Sequence, residues 1–496
     1  MFFRRKREKK TTYTAKFVYT NKTFKENYSI YTENGKIIES GSREAIKEQF
    51  PFAQEIKLDG ILYPGFIDSH IHLNELALFL HSYSGETLKT FNDLKTFIKN
   101  QSNEQMIYIQ NFNFNLLTER DWEELFETPT PIFIQSTDEH SVFINNAAIK
   151  KHKIEIKEYE GGEVVKRNGR FIGILKDNAI LNVSIIKNKR VSKEEIKKTI
   201  SYLHSMGIVG ITNFDYLIYN TLLDIDREKA LNMHIFQGIP CNKVDDLIKD
   251  KITTGSGDNY LQIGPLKCFI DGSLGSQTLL MKELEYENKF HGLQTINIEE
   301  LEHIVKIANE NGLQIATHAI GSKAVHIALE VFQKVGKSKM RNRIEHFQFL
   351  SKDDETLAKE TEFIASMQPL HFNADKKLFE KYFPNDYPHA YDWKLLFDIR
   401  KIVAFGSDAP VVLPSVLKGM DSAINRYKEK TSVTSVINAY TENGAKANFY
   451  ERRGGRIARN MDADFVLLNK PIKKFTNFST TDIISTIIGG RIVWTK

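Results

Sequence analysis

The stretch GILYPGFIDSHIHLNEL, residues 60–76, places Asp68, His70 and His72 at alternating positions behind a short apolar run. In a strand such positions share one face, so these three side chains converge while Ile67, Ser69 and Ile71 face the other way. Taken alone, a His-x-His pair fits a solvated strand end as well as it fits a metal-ligand pair. The rest of the chain bears on the choice. Lys267, His318, His346 and Asp408 each stand at or near the C-terminal end of another apolar run, in KCFIDGSLGS, IATHA, RIEHFQ and AFGSDAP. Random placement of 14 histidines over 496 residues would seldom produce this. Neutral imidazoles and carboxylates are the usual protein ligands of Zn²⁺. Such an ion lowers the pKa of bound water and polarises a carbonyl, and Asp408 is placed to act as the base that moves the proton. The expectation is therefore a divalent metal, zinc in the first instance, at one or two ions per chain.

Positioning such a set requires many strands that end on one face. Short apolar or alternating runs recur at 65–72, 207–214, 233–239, 261–270, 312–319, 340–348, 362–369 and 401–408, most of them separated by helix-like segments. One such segment, NIEELEHIVKIANENG, opens on a capping Asn297 with a Glu three residues later. Eight strands alternating with helices fit a parallel (β/α)8 barrel of the α/β class, whose active sites lie at the C-terminal ends of the strands. Two regions break that rhythm. The termini read as meandering strands, with an Asn34–Gly35 turn of the hairpin type. Residues 12–62 and 455–496 are thus expected to form one composite β-sandwich, because chain ends often lie close together. Residues 80–200 are far too long for a connection and carry runs such as PIFIQST, so an inserted subdomain is expected there. That leaves 63–79 and 201–454 for the barrel, and 1–11 as a basic tail.

Composition bounds the alternatives. At 41% hydrophobic, 26% charged and a net charge of +5, the chain is an ordinary globular one with no concentrated basic face for nucleic acid. The start, MFFRRKREKK, lacks the apolar stretch of a signal peptide, and no run is long enough to span a membrane. Only Cys241 and Cys268 occur, which suits a reducing cytoplasm. A small-molecule substrate is expected, and a homo-oligomer is the default for an enzyme of this size.

The motifs LYPGFIDSHIHL, DEHSVFINNAAI, GITNFD, KCFIDGSLGSQT, ATHAIGSKAV, RIEHFQ, SMQPLHFNAD, FGSDAPV, AYTENGAKA and DADFVLLN run nearly end to end. In that order they resemble the amidohydrolase superfamily of metal-dependent hydrolases, in the branch that includes N-substituted formamide deformylase. The resemblance implies that His70, His72 and Asp408 hold one metal and that His318 and His346 hold a second. A carboxylated Lys267 would bridge them. The alternative for Lys267 is an ordinary lysine paired with a carboxylate. The resemblance also brings His140, in the inserted region, toward the substrate pocket, where a surface-loop histidine is the competing reading. By position, Asp271 follows Lys267 and His371 follows the seventh strand, so both are candidates to line the pocket. Asp68 either orients a ligand histidine or accepts backbone hydrogen bonds. Glu345, adjacent to His346, is expected on the opposite side of its strand in a salt bridge.

Cleavage of a non-peptide carbon–nitrogen bond, an amide or formamide, is the expected reaction. A deaminase, or an ester or lactone hydrolase, could use the same barrel. Gly321 and Ser322 stand where deaminases of the superfamily often carry a Glu, which weighs against that rival. A non-catalytic scaffold on the same fold is the rival from another class.

Overall fold

The computed structural model describes residues 10–101, 106–136, 141–159, 162–183, 191–275, 278–282, 292–383, 387, 389–426, 431–473 and 478–496. Two compact units emerge: one combines the chain up to Glu75 with Ile196–Lys496, and the other spans Leu76–Glu195.

The first unit is built on eight parallel strands paired in chain order: Phe66–Ile71, Ile208–Asn213, His234–Pro240, Leu261–Phe269, Ile315–Ala319, Arg343–His346, Ile364–Met367 and Ile402–Phe405. These are the eight runs expected from the sequence, shorter at their edges. Nearly every residue in them is buried, as expected for parallel strands covered on both faces. The sheet all but closes on itself, giving a barrel. Past the end of the eighth strand, Asp408 N–H donates to His70 O at 2.7 Å and His72 N–H donates to Ala409 O at 2.9 Å. That approach needs Gly406, since a Cβ there would lie 2.5 Å from the His70 nitrogen and 2.9 Å from an Asp68 oxygen. Helices fill the connections. The helix Ile298–Glu310 starts at Asn297, whose side chain accepts from the Glu299 and Glu300 N–H groups.

The same unit holds a seven-stranded sheet that draws on both ends of the chain. Its order is Arg491–Thr495, Ile483–Ile488, Phe465–Leu468, Gln54–Pro64, Lys10–Thr20, Thr23–Glu33, Lys36–Ser42. Asn34 and Gly35 both have positive φ, 52° and 79°, as a two-residue hairpin turn requires. Tyr13, Val18, Ile30, Leu62, Phe465, Leu467 and Ile487 pack in its core.

The unit Leu76–Glu195 has its own mixed six-stranded sheet and its own core, which includes Ile107, Trp122, Ile134 and Phe143. Two of its helices, Phe91–Asn100 and Glu119–Phe126, begin with reciprocal caps, Thr90 with Asp93 and Thr118 with Asp121. Among the described residues no helix is long and apolar enough to cross a membrane.

Candidate metal centre at the C-terminal end of the barrel

His70 ends up fully buried near the end of the first strand. Its Nδ1–H donates to Glu345 Oε2 at 2.7 Å. Its Nε2 has no hydrogen-bond partner among the described residues and lies 3.4 Å from Asp408 Oδ1. His72, just past the strand, repeats the arrangement: Nδ1–H donates to Asp215 Oδ1 at 3.0 Å, and Nε2 lies 3.3 Å from Asp408 Oδ1. Asp68 takes the backbone role of the two open to it, accepting the N–H groups of His70 at 3.2 Å and Ser407 at 3.0 Å. It therefore ties the first strand to the residues after the eighth, and burial pushes its carboxyl up to about 6.

The fifth and sixth strands bring two more rings alongside. His318 Nδ1–H donates to Asp271 Oδ1 at 3.1 Å, and His346 Nδ1–H donates to Gln368 Oε1 at 3.0 Å. The His346 ring centroid lies 4.5 Å from that of His318 and 4.9 Å from that of His70. Asp271 is itself buried, and its two oxygens also accept the N–H groups of Leu280, Ile320 and Gly321. Its carboxylate thus holds His318 and the adjoining loop. His371 comes to the same cluster from the first residue of the helix His371–Tyr382, its Nε2 3.7 Å from Asp408 Oδ2. His140 lies outside the described residues.

Glu345 departs from the expectation of strand alternation. It does pair with Arg343, whose Nε donates to Oε1 at 2.7 Å, but the pair faces the barrel interior and also holds His70. Both Glu345 and His346 reach His70 because His346 has a left-handed backbone, φ 73°, which breaks the alternation at the strand's end. Asp408, φ 58°, departs from the extended backbone in the same way. Arg343 is fully buried and donates as well to Ser69 O, Thr212, Ser366 and Asn448, joining several strands beneath the site.

The electrostatics follow from burial among these groups. Burial and the Lys267 charge bring the His70 imidazole down to about 4, and burial with the neighbouring His318 holds His346 well below its ordinary value. Burial alone would raise Asp408, but His70, His72 and His346 hold it well below the usual carboxylate range. Burial likewise opposes protonation of His72, and Asp215 and Asp408 overcome it to raise that ring. Lys267 is buried with no hydrogen-bond partner for its Nζ among the described residues, 4.4 Å from the centroid of Phe214 and 5.0 Å from that of Phe269. No carboxylate forms an ion pair with it among the described residues, and burial lowers its pKa to about 8.

Asp215, Arg343, Gln368 and Phe214 are site residues that sequence reasoning did not single out. Asp215 had a usable signal, since it follows the second strand at the same C-terminal end as the rest. Gln368 had none, because a glutamine beside a strand carries no mark of the histidine it will meet.

Metal-type donor atoms gather within 4.8 Å of one another in three groups: His70, His72 and Asp408; His346, His371 and Asp408; and His234, Asp462 and Asp464. The first two share Asp408 and make one centre. The third lies at the opposite end of the barrel strands, since His234 opens the third strand.

A family model described as the amidohydrolase family matches residues 57–494, and the chain belongs to that family. Over 94% of its length it is 27% identical to YtcJ of Bacillus subtilis (strain 168), a protein named as an amidohydrolase, of which 96% is covered. It is 26% identical to the Arabidopsis thaliana protein LONG AFTER FAR-RED 3, covering 93% of this chain and 88% of the other. Among solved structures, an uncharacterized metal-dependent hydrolase from Pyrococcus horikoshii OT3 superposes with a TM-score of 0.82 at 22% identity, covering 95% of this chain and 99% of that one.

Proposed function

We propose that this protein is a metal-dependent hydrolase that cleaves a carbon–nitrogen bond other than a peptide bond, an amide or formamide of a small molecule. One observation carries the reading. His70, His72, His318 and His346 each give their Nδ1–H to a side-chain oxygen, of Glu345, Asp215, Asp271 and Gln368 respectively. A neutral imidazole has one N–H, so an acceptor at Nδ1 leaves the lone pair on Nε2, the form that binds a metal; His72, raised by Asp215 and Asp408, would release its Nε2 proton as a metal bound. The residues present therefore fit a divalent ion, with zinc the expected one. His70, His72 and Asp408 would hold one ion, and His318 and His346 a second.

Lys267 fits the bridging role through its buried, unpartnered Nζ and lowered pKa. Its neutral amine would add to CO₂, forming an N–C bond and releasing a proton, to give a carbamate with two oxygens. A metal bound here would supply Lewis acidity toward water and the scissile carbonyl. Asp408, with histidines around both of its oxygens, would take the proton from the attacking water and return it to the leaving nitrogen. Glu345, Asp215, Asp271 and Gln368 keep the four rings in one tautomer and one orientation. Membership of the amidohydrolase family supports a hydrolase, and the amide as substrate is our own step beyond it.

Metal content per chain, wild type against Lys267→Ala, tests the reading first. Two equivalents falling to one or fewer in the variant would support a bridged pair and justify screening amides and N-substituted formamides. One equivalent, unchanged by the substitution, would remove Lys267 from the site and reopen the deaminase alternative. No metal after reconstitution would sink the hydrolase reading.

A further inference from the structure

The chain has two cysteines, Cys241 and Cys268, which take no part in the centre described above, yet the fold brings them together. Cys241 is the first residue after the third barrel strand, and Cys268 is the next-to-last residue of the fourth. The parallel register pairs Pro240 with Lys267, so the residues that follow these two stand side by side. Neighbouring strands run about 4.8 Å apart, and a disulfide joins Cα atoms roughly 4.4–6.8 Å apart. The thiols already meet: a hydrogen bond between them lowers Cys241 from its ordinary value and, with burial, holds Cys268 well above its own. Both are free thiols, Cys241 half-buried and Cys268 buried.

Cys268 also directly follows Lys267, and strand alternation turns the two side chains to opposite faces. Lys267 Nζ makes no hydrogen bond among the described residues and lies against the rings of Phe214 and Phe269. A covalent tie on Cys268 would therefore turn the strand end and carry Lys267 with it, with no hydrogen bond to hold its Nζ in place. We propose that Cys241 and Cys268 are a redox modification site, which hydrogen peroxide closes into a disulfide that displaces Lys267 and weakens metal binding at the centre. Formation of the bond stands on the strand register and the thiol contact, whereas its effect on metal rests on the hydrolase reading. In the first step the more accessible Cys241 sulfur attacks one oxygen of the peroxide and keeps it as a hydroxyl. The other oxygen leaves as water with the thiol proton. The Cys268 sulfur then attacks the Cys241 sulfur, forming the S–S bond and expelling that hydroxyl, which leaves as water with the Cys268 proton. The two thiols lose two electrons and the peroxide becomes two waters. Reduction by a dithiol reverses the change, as expected of a redox-sensing disulfide in a reducing compartment.

The test treats the full-length, zinc-loaded protein with hydrogen peroxide, stops the reaction with catalase, and follows thiols and metal together. Free thiols are expected to fall from two to none per chain, within single chains on a non-reducing denaturing gel, and to return with dithiothreitol. Zinc affinity by chelator competition should fall about tenfold or more in the oxidised protein and recover on reduction. Cys241→Ser should keep its remaining thiol and its zinc affinity through the same treatment, because Cys268 is buried. Cys268→Ser should stop at a sulfenic acid on Cys241, trapped by dimedone. Wild-type thiols that survive treatment, that dithiothreitol fails to restore, or that link two chains would overturn the modification site. An internal disulfide that leaves zinc affinity unchanged, or a loss of affinity that Cys241→Ser shares, would overturn the link to Lys267. A reduced wild type that binds no zinc would sink the hydrolase reading and that link with it, while the thiol count would still decide the disulfide.

Discussion

Two clusters of histidine and carboxylate sit at opposite ends of the same barrel strands, and they differ in what their polar atoms lack. At the far end, His234 Nε2–H donates to Asp464 Oδ2 at 2.9 Å, and Nδ1 lies 2.8 Å from Asn259 O. Tyr450 OH donates to Asp462 and Asp464, Arg453 donates to Asp462, Lys36 pairs with Asp462, and Gly489 N–H donates to Asp464 Oδ1. Every carboxylate there has cations or donors of its own. At the C-terminal end, His70 Nε2, His371 Nε2 and Lys267 Nζ are buried with no hydrogen-bond partner among the described residues. The same residue types thus make a finished ion-pair network in one place and an incomplete polar site in the other. Unpaired buried polar atoms are costly, and the three at this end belong to ionisable side chains, which a structural ion-pair network would not leave so.

Substitutions can break or sharpen that contrast. The largest effect on turnover is expected from Asp408→Asn, which should keep metal, measured by elemental analysis, while abolishing hydrolysis of any amide the wild type cleaves. Substantial remaining activity would remove Asp408 from the proton-transfer role. Arg343→Met should be the most destabilising change at the site, by roughly 3–5 kcal/mol, because it strands the buried Glu345 carboxylate. Chemical denaturation of the metal-free protein would measure it, and a loss below about 1 kcal/mol would show that His70 alone satisfies Glu345. Asp215→Asn removes the negative charge behind the His72 ring while leaving an oxygen in its place. Metal affinity measured by chelator competition should fall about 10–100-fold, with little change in the stability of the metal-free protein.

The smallest effect at the metal centre belongs to the other cluster. Asp464→Asn should leave metal content unchanged and cost about 1–3 kcal/mol of stability, since His234 and Tyr450 lose a charged acceptor. Its pH dependence follows from two opposite shifts. The Asp464 carboxyl is lowered, with burial opposed by His234, so its contribution is present above the ordinary carboxylate value and lost as pH falls through the folded value. His234 is raised, with burial opposed by Asp464, so its contribution is present below its ordinary value and lost as pH rises through the folded value. The deficit of the variant should therefore be greatest between about pH 4 and about 6.5 and shrink on either side. Thermal melts of both proteins across that range would show a flat difference if the pair carries no charge.

Much of this architecture was legible before any coordinates. The eight strands could be read from apolar runs because burial on both faces leaves little room for polar residues within them. The Asn34–Gly35 hairpin and the Asn297 cap could be read because the backbone at those points depends on one or two neighbouring residues. The set His70, His72, His318, His346 and Asp408 could be read as strand-end chemistry for the same local reason. Partners were not legible. Strand alternation puts Glu345 on the side opposite His346, in a salt bridge; the salt bridge to Arg343 is there, but a left-handed turn at His346, where the strand ends, puts both residues against His70. Nor could the sequence show that the Asp271 carboxylate meets four protein donors, from Leu280, His318, Ile320 and Gly321.

Which ionisable residues stand at which end of which strand is therefore legible in the sequence itself, through strand periodicity and local backbone preference. Which nitrogen of each histidine is left to act is settled only in three dimensions. That choice is made by an oxygen arriving from a distant part of the chain, as Glu345 arrives at His70 across 275 residues and Gln368 at His346 across 22. A hydrogen bond reads distance in space, and the spacing along the chain does not contain it.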